Sequence, residues 1–325
     1  MASSTPLKAP QLIFGCGPRD EVFPRRADAE ELLQTLQDAR VRCKDPAAIY
    51  PPDIAAAQHR LLGQGQAREY TLDAQVMVSI RKIEKDSTTE GVYRDLQFGE
   101  DGKMNVFNAL APDVDIPLRE QAAAVHARYK KGLFNKLSVI NFPVEMLEEY
   151  FEICEREGYV KPTVYQGHYN LIDRRHEGKV MDIVRRHDIA FVAHSPHAGG
   201  FLNGRITSGL TADDSMFIRD RVEGSRLDES KFMLKGARRY DTKKHRAAVR
   251  ALDELLKSRG SGLEKTDVAV RWLAFHSRLG PEDVIMFDGS SIDQIKRTTA
   301  AVEQGPLPED IVSGLDEIWR GLVAA

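Results

Sequence analysis

The sequence predicts an α/β chain folded as one (β/α)₈ TIM barrel over residues 1–325. Three observations lead there. Eight short apolar, β-prone runs recur along the chain, helical patterns fill the intervals between them, and no GxGxxG follows an early strand. The runs are QLIFG (11–15), ARVRC (39–43), AQVMVS (74–79), NVFNAL (105–110), LSVIN (137–141), TVYQ (163–166), IAFVAH (189–194) and DVIMFD (283–288). Residues 27–39, 117–132, 144–158 and 174–187 place apolar side chains at i, i+3 and i+4, which predicts helices. Two of these stretches finish with basic residues and then Gly132 or Gly158, as helix ends do. Strand and helix in alternation mean parallel strands joined by right-handed crossovers, and eight such units favour a closed barrel over an open sheet.

Two stretches interrupt the regularity. Residues 203–235 are long, polar and glycine-containing, which predicts a lid or binding loop. Residues 80–104 are highly charged and weakly periodic, an irregular crossover. Helices are expected again across 290–325.

Composition narrows the function classes. The chain is 42% apolar and 29% charged, enough for a core and a solvated surface. A net charge of -3 argues against nucleic acid, and the basic cluster RRYDTKKHR (238–246) reads as a solvated helix face. No run approaches the ~20 apolar residues of a membrane span. The opening MASSTPLKAP has no apolar signal core, which argues against secretion. Cys16, Cys43 and Cys154 are scattered, without metal-ligand spacing, and read as reduced thiols of a cytoplasmic protein. The expected partner is a small-molecule substrate.

In a barrel, ligands bind where strands end, so the strand ends inventory the site. KDPAAIYPP (44–52) sets Asp45 and Tyr50 five apart, and its prolines predict a bend that could bring them together. Val78 and Ser79 close the third run, and Leu110 followed by APD closes the fourth. Then come Asn141, Gln166, the pair His194–Ser195, and Asp288 before GSS. Asn141, Gln166 and Ser195 suit an amide. His194 and His197, with His168, could line a modified pocket, and their spacing matches no zinc pattern. An imidazole in such a place could serve as acid or base near neutral pH.

GYVKPTVYQGHYN (158–170), HSPHAGGFLNGR (194–205), VAVRWLAFHS (268–277) and SSIDQI (290–295) resemble the aldo-keto reductases, specifically the aflatoxin-aldehyde-reductase branch, in order and spacing. The resemblance implies a monomeric or dimeric (β/α)₈ barrel that moves hydride from NADP(H) to an aldehyde or ketone through an Asp–Tyr–Lys–His tetrad. Asp45 and Tyr50 match its Asp and Tyr. Val78 or Ser79 stands where the lysine belongs, with Lys82 beyond the strand, and Leu110 stands for the histidine. The tetrad is therefore degenerate. A phenol near its reference pKa of ~10 is a weak acid without a cationic neighbour.

For the cofactor, the resemblance assigns Asn141 and Gln166 to the nicotinamide carboxamide and Ser195 to the pyrophosphate. Gly199, Leu202 and Arg205 fall in the phosphate loop, and Ser290 and Gln294 match the motif at the far end. Departures accompany these matches. His194 replaces a stacking aromatic, Ile140 replaces a Ser, Thr298 replaces an adenine-contacting Asn, and Asp288 stands beside the 2′-phosphate. The expectation is a divergent NADP(H)-linked reductase of a specialised, secondary-metabolite-like molecule, with no metal. Two alternatives stay open: a non-redox dehydratase, isomerase or cyclase using Tyr50 and His194, and a non-catalytic binding protein.

Overall fold

The computed structural model describes residues 9–16, 26–41, 43–46, 71–72, 104–109, 112, 115–203, 239–289 and 291–324. Its strands are β1 (Gln11–Cys16), β2 (Cys43–Pro46), β3 (Thr71–Leu72), β4 (Met104–Ala109), β5 (Phe134–Ile140), β6 (Val164–His168), β7 (Ala190–His194) and β8 (Val284–Phe287). All eight lie in one sheet of order β3-β2-β1-β8-β7-β6-β5-β4. Every ladder is parallel. The first strand therefore pairs with both the second and the last, which an open doubly wound sheet does not do. Among the described residues no ladder joins β3 to β4.

One expected strand moved. Ala39–Val41 close a helix instead of opening a strand: Val41 N–H bonds the Leu36 carbonyl at 2.9 Å, and Arg40 turns left-handed at φ 55°. A helix end needs such a cap, so the strand waits until Cys43. Thr71–Leu72 form β3, and the expected strand 74–79 lies outside the described residues. So do residues 80–103 and 204–235, the expected crossover and nearly all of the expected lid.

The helices are α1 (Arg26–Asp38), α2 (Leu118–Lys130), α3 (Val144–Glu157), α4 (Lys179–Arg186), α5 (Lys243–Ser258), α6 (Lys265–Phe275), α7 (Ile292–Glu303) and α8 (Glu309–Ala324). Gly132 (φ 72°) and Gly158 (φ 68°) end α2 and α3 as their positions predict. The pattern over 174–187 splits at Gly178: Arg175–Glu177 form a 3₁₀ turn and α4 follows. Thr242 and Ser291 accept from backbone amides three residues on, His245 and Gln294, and so start α5 and α7.

Strand alternation sorts the side chains into two faces. Leu137 and Val139 of β5, Tyr165 of β6, Phe191 and Ala193 of β7 and Ile285 of β8 pack into one core with α2, α3 and α4 through Ala122, Val125, Leu147, Phe151, Val180 and Val184. Phe14 and Phe287 face α1 the same way, against Leu32 and Leu36. Each fully buried side chain of this size contributes roughly 1.5–3 kcal/mol. The residues between them (Ser138, Ile140, Gln166, His168, Val192, His194, Met286) point to the face away from these helices, and the site is built there.

One carboxylate ties the strand starts together. Asp283, 1% exposed, precedes β8 and accepts from Phe191 N at 2.8 Å and Gly280 N at 2.6 Å. Arg185 forks onto it, one arm at 2.9 Å. The Asp283 carbonyl takes the Gln11 amide at 3.2 Å. One residue thus fastens β8 to both β7 and β1. Replacing Asp283 by Ala strands two buried amides and unpairs Arg185, and should lower unfolding free energy by about 3 kcal/mol. Urea denaturation checks this: Asp283→Asn should lose less, and a loss below about 0.5 kcal/mol for the alanine variant would remove Asp283 from this role.

Candidate active site

The C-terminal ends of β5, β6 and β7 come together as the sequence predicts. Asn141 follows β5 with a left-handed backbone (φ 52°), and its N–H bonds the Gln166 carbonyl at 2.9 Å. Ser195 follows β7, also left-handed at φ 60°. Non-glycine residues rarely sit there, and such positions persist where surrounding bonds hold them. For Ser195 the holding bond is visible: its carbonyl accepts from Asn170 Nδ2 at 3.0 Å. Gln166 is buried, and its Nε2 reaches the Met286 sulfur at 3.5 Å. Ala198–Asn203 form a short 3₁₀ stretch kinked at Gly199 (φ 62°) and Gly200 (φ 89°), with Leu202 fully buried.

β6 runs two residues beyond its expected end at Gln166, to His168. His168 shares a face with Gln166 and stands in register with His194. Their ring centroids are 3.9 Å apart at 54°. His194 Nδ1 lies 3.1 Å from Ser195 Oγ, while His194 Nε2, His168 Nδ1 and His197 Nε2 are buried without a hydrogen-bond partner. Gly167, between Gln166 and His168, faces the helices; a Cβ there would come within 2.9 Å of His176 Nε2, so glycine admits the His176 ring.

Burial, the chief cause, holds these imidazoles neutral. His168 is pushed down to about 3, with help from Arg239 and Arg175. His176 is pushed down to about 4. His194 lies well below its ordinary value, again through burial, with His168 and Arg239 adding to it. For His194, which the sequence offers as an acid or base near neutral pH, burial favours the uncharged ring.

Beneath the strand ends lies a polar scaffold that sequence reasoning missed. Asn170 Nδ2 also donates to Tyr240 Oη at 3.1 Å, and Tyr240 donates to Asp173 at 3.4 Å. Arg175 grips both oxygens of Asp173 at 2.7 and 2.6 Å. The Tyr240 and Phe201 rings sit 6.4 Å apart. His168 was read from the sequence as lining the pocket, two residues beyond the expected strand; Tyr240 carried no comparable signal.

On the other side of the site, Asp288 follows β8 and is exposed. Its negative charge pulls the His197 imidazole upward, against a larger downward effect of burial. A Cβ on Gly289 would stand 2.9 Å from Ile295 Cγ1, so the chain passes close under α7 there. Gln294 lies in the first turn of α7, and its amide is capped by Ser291. Thr298 is buried, donating to the Gln294 carbonyl at 3.0 Å. Asp45 is the third residue of β2, in backbone register with Gly15, within the strand rather than after it. Tyr50, Arg205, Ser290, Val78, Ser79, Lys82 and Leu110 lie outside the described residues. Among the described residues no three His, Cys, Asp or Glu side chains converge as metal ligands, and no helix is long and apolar enough to cross a membrane.

A parallel sheet whose first and last strands pair, with polar groups gathered at its strand ends, defines a class of α/β enzymes that bind ligands at that rim. Residues 12–320 match the Aldo/keto reductase family, and the chain belongs to that family as an oxidoreductase. It is 31% identical over 304 residues to the aldo-keto reductase pigE of Monascus ruber, covering 89% of this chain and 86% of that protein. It is 26% identical over 297 residues to the oxidoreductase sirO of Leptosphaeria maculans, covering 89% and 84%. With aflatoxin B1 aldehyde reductase member 2 of Mus musculus the identity is 27% over 244 residues, covering 74% of this chain and 65% of the mouse protein.

The neutral imidazoles fix an acid limit on stability. Unfolding lets His168 and His176 take up protons near 6.5, whereas the folded state resists until about 3 and about 4. Their contribution is complete above pH 6.5 and is lost as pH falls toward those lower values. By pH 5 each should have cost roughly 2 kcal/mol. Urea midpoints between pH 7.5 and 5 should fall accordingly, and His168→Gln should flatten the slope. An unchanged slope in that variant would show that His168 titrates normally.

Proposed function

We propose that this oxidoreductase is an NADP(H)-linked carbonyl reductase for a small, specialised substrate, on a sheet that closes between β3 and β4 into a single (β/α)₈ barrel. The observation that carries this reading is the meeting of Asn141, Gln166 and Ser195 at adjacent strand ends, two of them in left-handed backbone. The donor set suits the cofactor. Asn141 and Gln166 offer amides to a carboxamide; Ser195, Gly199 and Leu202 are assigned to the pyrophosphate, and the family motif adds Arg205. Gln294, in the first turn of α7, serves the adenosine end, and Ser290 is assigned there by the family motif. A reduced nicotinamide, when bound, supplies the hydride that reaches the carbonyl carbon.

The chain's own task is to place the carbonyl and deliver a proton. Tyr50 is assigned to give its phenolic proton to the carbonyl oxygen, with Asp45 as its supporting acid. With Val78 or Ser79 and Leu110 in place of the tetrad's cation and imidazole, the phenol lacks those two acidifying partners, and much of the usual ~10²–10⁴-fold from acid catalysis is lost. His194 offers a neutral ring to the nicotinamide.

Three outcomes follow. NADPH should quench the intrinsic fluorescence of the protein; no binding at millimolar NADPH would end this reading. Asp288 places a negative charge beside the 2′-phosphate, so Asp288→Lys should shift preference toward NADPH over NADH by about 10-fold. Turnover of 4-nitrobenzaldehyde should be very slow and fall further in Tyr50→Phe; fast turnover abolished by that change would mean that another group restores the acidity of the phenol.

A further inference from the structure

Backbone pairing between β6 and β7 ends one residue past the ladder, where the Tyr169 amide meets the His194 carbonyl at 3.2 Å. At the next position a side chain takes over. Ser195 turns left-handed, and its carbonyl is met across the sheet by Asn170 Nδ2 at 3.0 Å. The same carbonyl accepts from the Ala198 amide at 2.9 Å, the bond that opens the turn leading to Gly199 and Leu202. Asn170 therefore anchors the first carbonyl of the whole stretch 195–202.

The Asn170 amide is fixed from three sides. Its second N–H donates to Tyr240 Oη at 3.1 Å, and its oxygen accepts from the Ile172 amide at 3.1 Å. Tyr240 donates in turn to Asp173, which Arg175 grips through both oxygens. Reversing the Asn170 amide would set its oxygen against the Ser195 carbonyl and its NH₂ against the Ile172 N–H, so one orientation satisfies every group. A buried polar network satisfied in this way rigidifies what it holds.

What it holds is an unfavourable backbone. Ser195 (φ 60°) and Ala198 (φ 51°) are left-handed despite their Cβ atoms, and Gly199 (φ 62°) and Gly200 (φ 89°) follow. Such residues persist where their surroundings over-determine them. Asn170 is 0% exposed and cannot meet a ligand itself, whereas Ser195, Gly199 and Gly200 are half-buried and present surface to solvent. A stretch already held in its bound shape avoids the cost of ordering when a ligand arrives.

We propose that Asn170 is a positioning residue for the cofactor pyrophosphate, acting through the Ser195 carbonyl to keep residues 195–202 in the receiving shape before any ligand is bound. This rests on the reading that Ser195, Gly199 and Leu202 serve an NADP(H) pyrophosphate. Asn170 touches neither cofactor nor substrate.

Two readouts on Asn170→Leu, which keeps the outline of the side chain and removes its polar atoms, test this. Calorimetric titration of the full chain with NADP⁺ should show affinity at least about 10-fold weaker than native. Hydrogen–deuterium exchange of the unliganded variant should quicken at least about 10-fold at the Ala198, Gly200 and Leu202 amides, while β6 and β7 keep native rates. Saturating NADP⁺ should restore that protection. If the leucine chain does not fold, Asn170→Ala is read by the same two measurements. NADP⁺ affinity within about 2-fold of native in the folded variant overturns the proposal. So does exchange unchanged over 198–202. Exchange that rises equally in β6 and β7 also overturns it, because Asn170 would then be a general support of the sheet. If the native protein binds no NADP⁺, the reductase reading fails and this proposal with it; native binding that the variant leaves intact ends the proposal alone.

Discussion

A parallel sheet that returns to its own first strand must fix the height of the last strand against both neighbours, and Asp283 supplies that constraint. Its backbone carbonyl takes the amide that begins β1, and its side chain takes the amide of Phe191 in β7. These bonds lie at the N-terminal end of β8, a strand length away from the site. A slip of one residue there would exchange the two faces of β8, turning Met286 toward the helices and Phe287 toward the pocket. The contact of Gln166 with Met286 and the placing of His194 beside Met286 in register both presuppose that the slip does not occur. The chemistry at one end of the sheet is thus aligned by a carboxylate at the other.

Much of the fold was legible because strand alternation and helix periodicity are local. Runs 11–15, 105–110, 137–141, 163–166, 189–194 and 283–288 fall on β1 and β4–β8 to within a few residues. The misses have local physical causes. Ala39–Val41 look β-prone, yet α1 needs them to close its carbonyls. Residues 174–187 look like one helix, yet the backbone at Gly178 breaks the run.

The site was legible in part. Strand-end inventory put Asn141 and Ser195 where they lie, directly after β5 and β7, and Gln166 two residues before the end of β6, because apolar runs locate strand ends. It put His194 at the end of β7 but could not weigh the burial of its ring, because desolvation depends on what surrounds it. Nothing in the local sequence around residue 194 announces His168 at 3.9 Å, or Tyr240 holding Asn170 beneath. Those contacts join residues distant in sequence, and periodicity carries no information about them.

The segment between Asn203 and Arg239 leaves and re-enters the described fold at one place. Phe201, fully buried, ends its near side, and Tyr240, pinned through Asn170 and Asp173, begins its far side; the two rings are 6.4 Å apart. A loop whose ends are fixed in contact by groups outside it can change length at small entropic cost, since closure depends only logarithmically on the residues enclosed. Insertions, deletions or wholesale exchange between these two aromatic posts should leave the sheet undisturbed. The described fold therefore sets the spacing of the two ends of this stretch by groups that lie outside it.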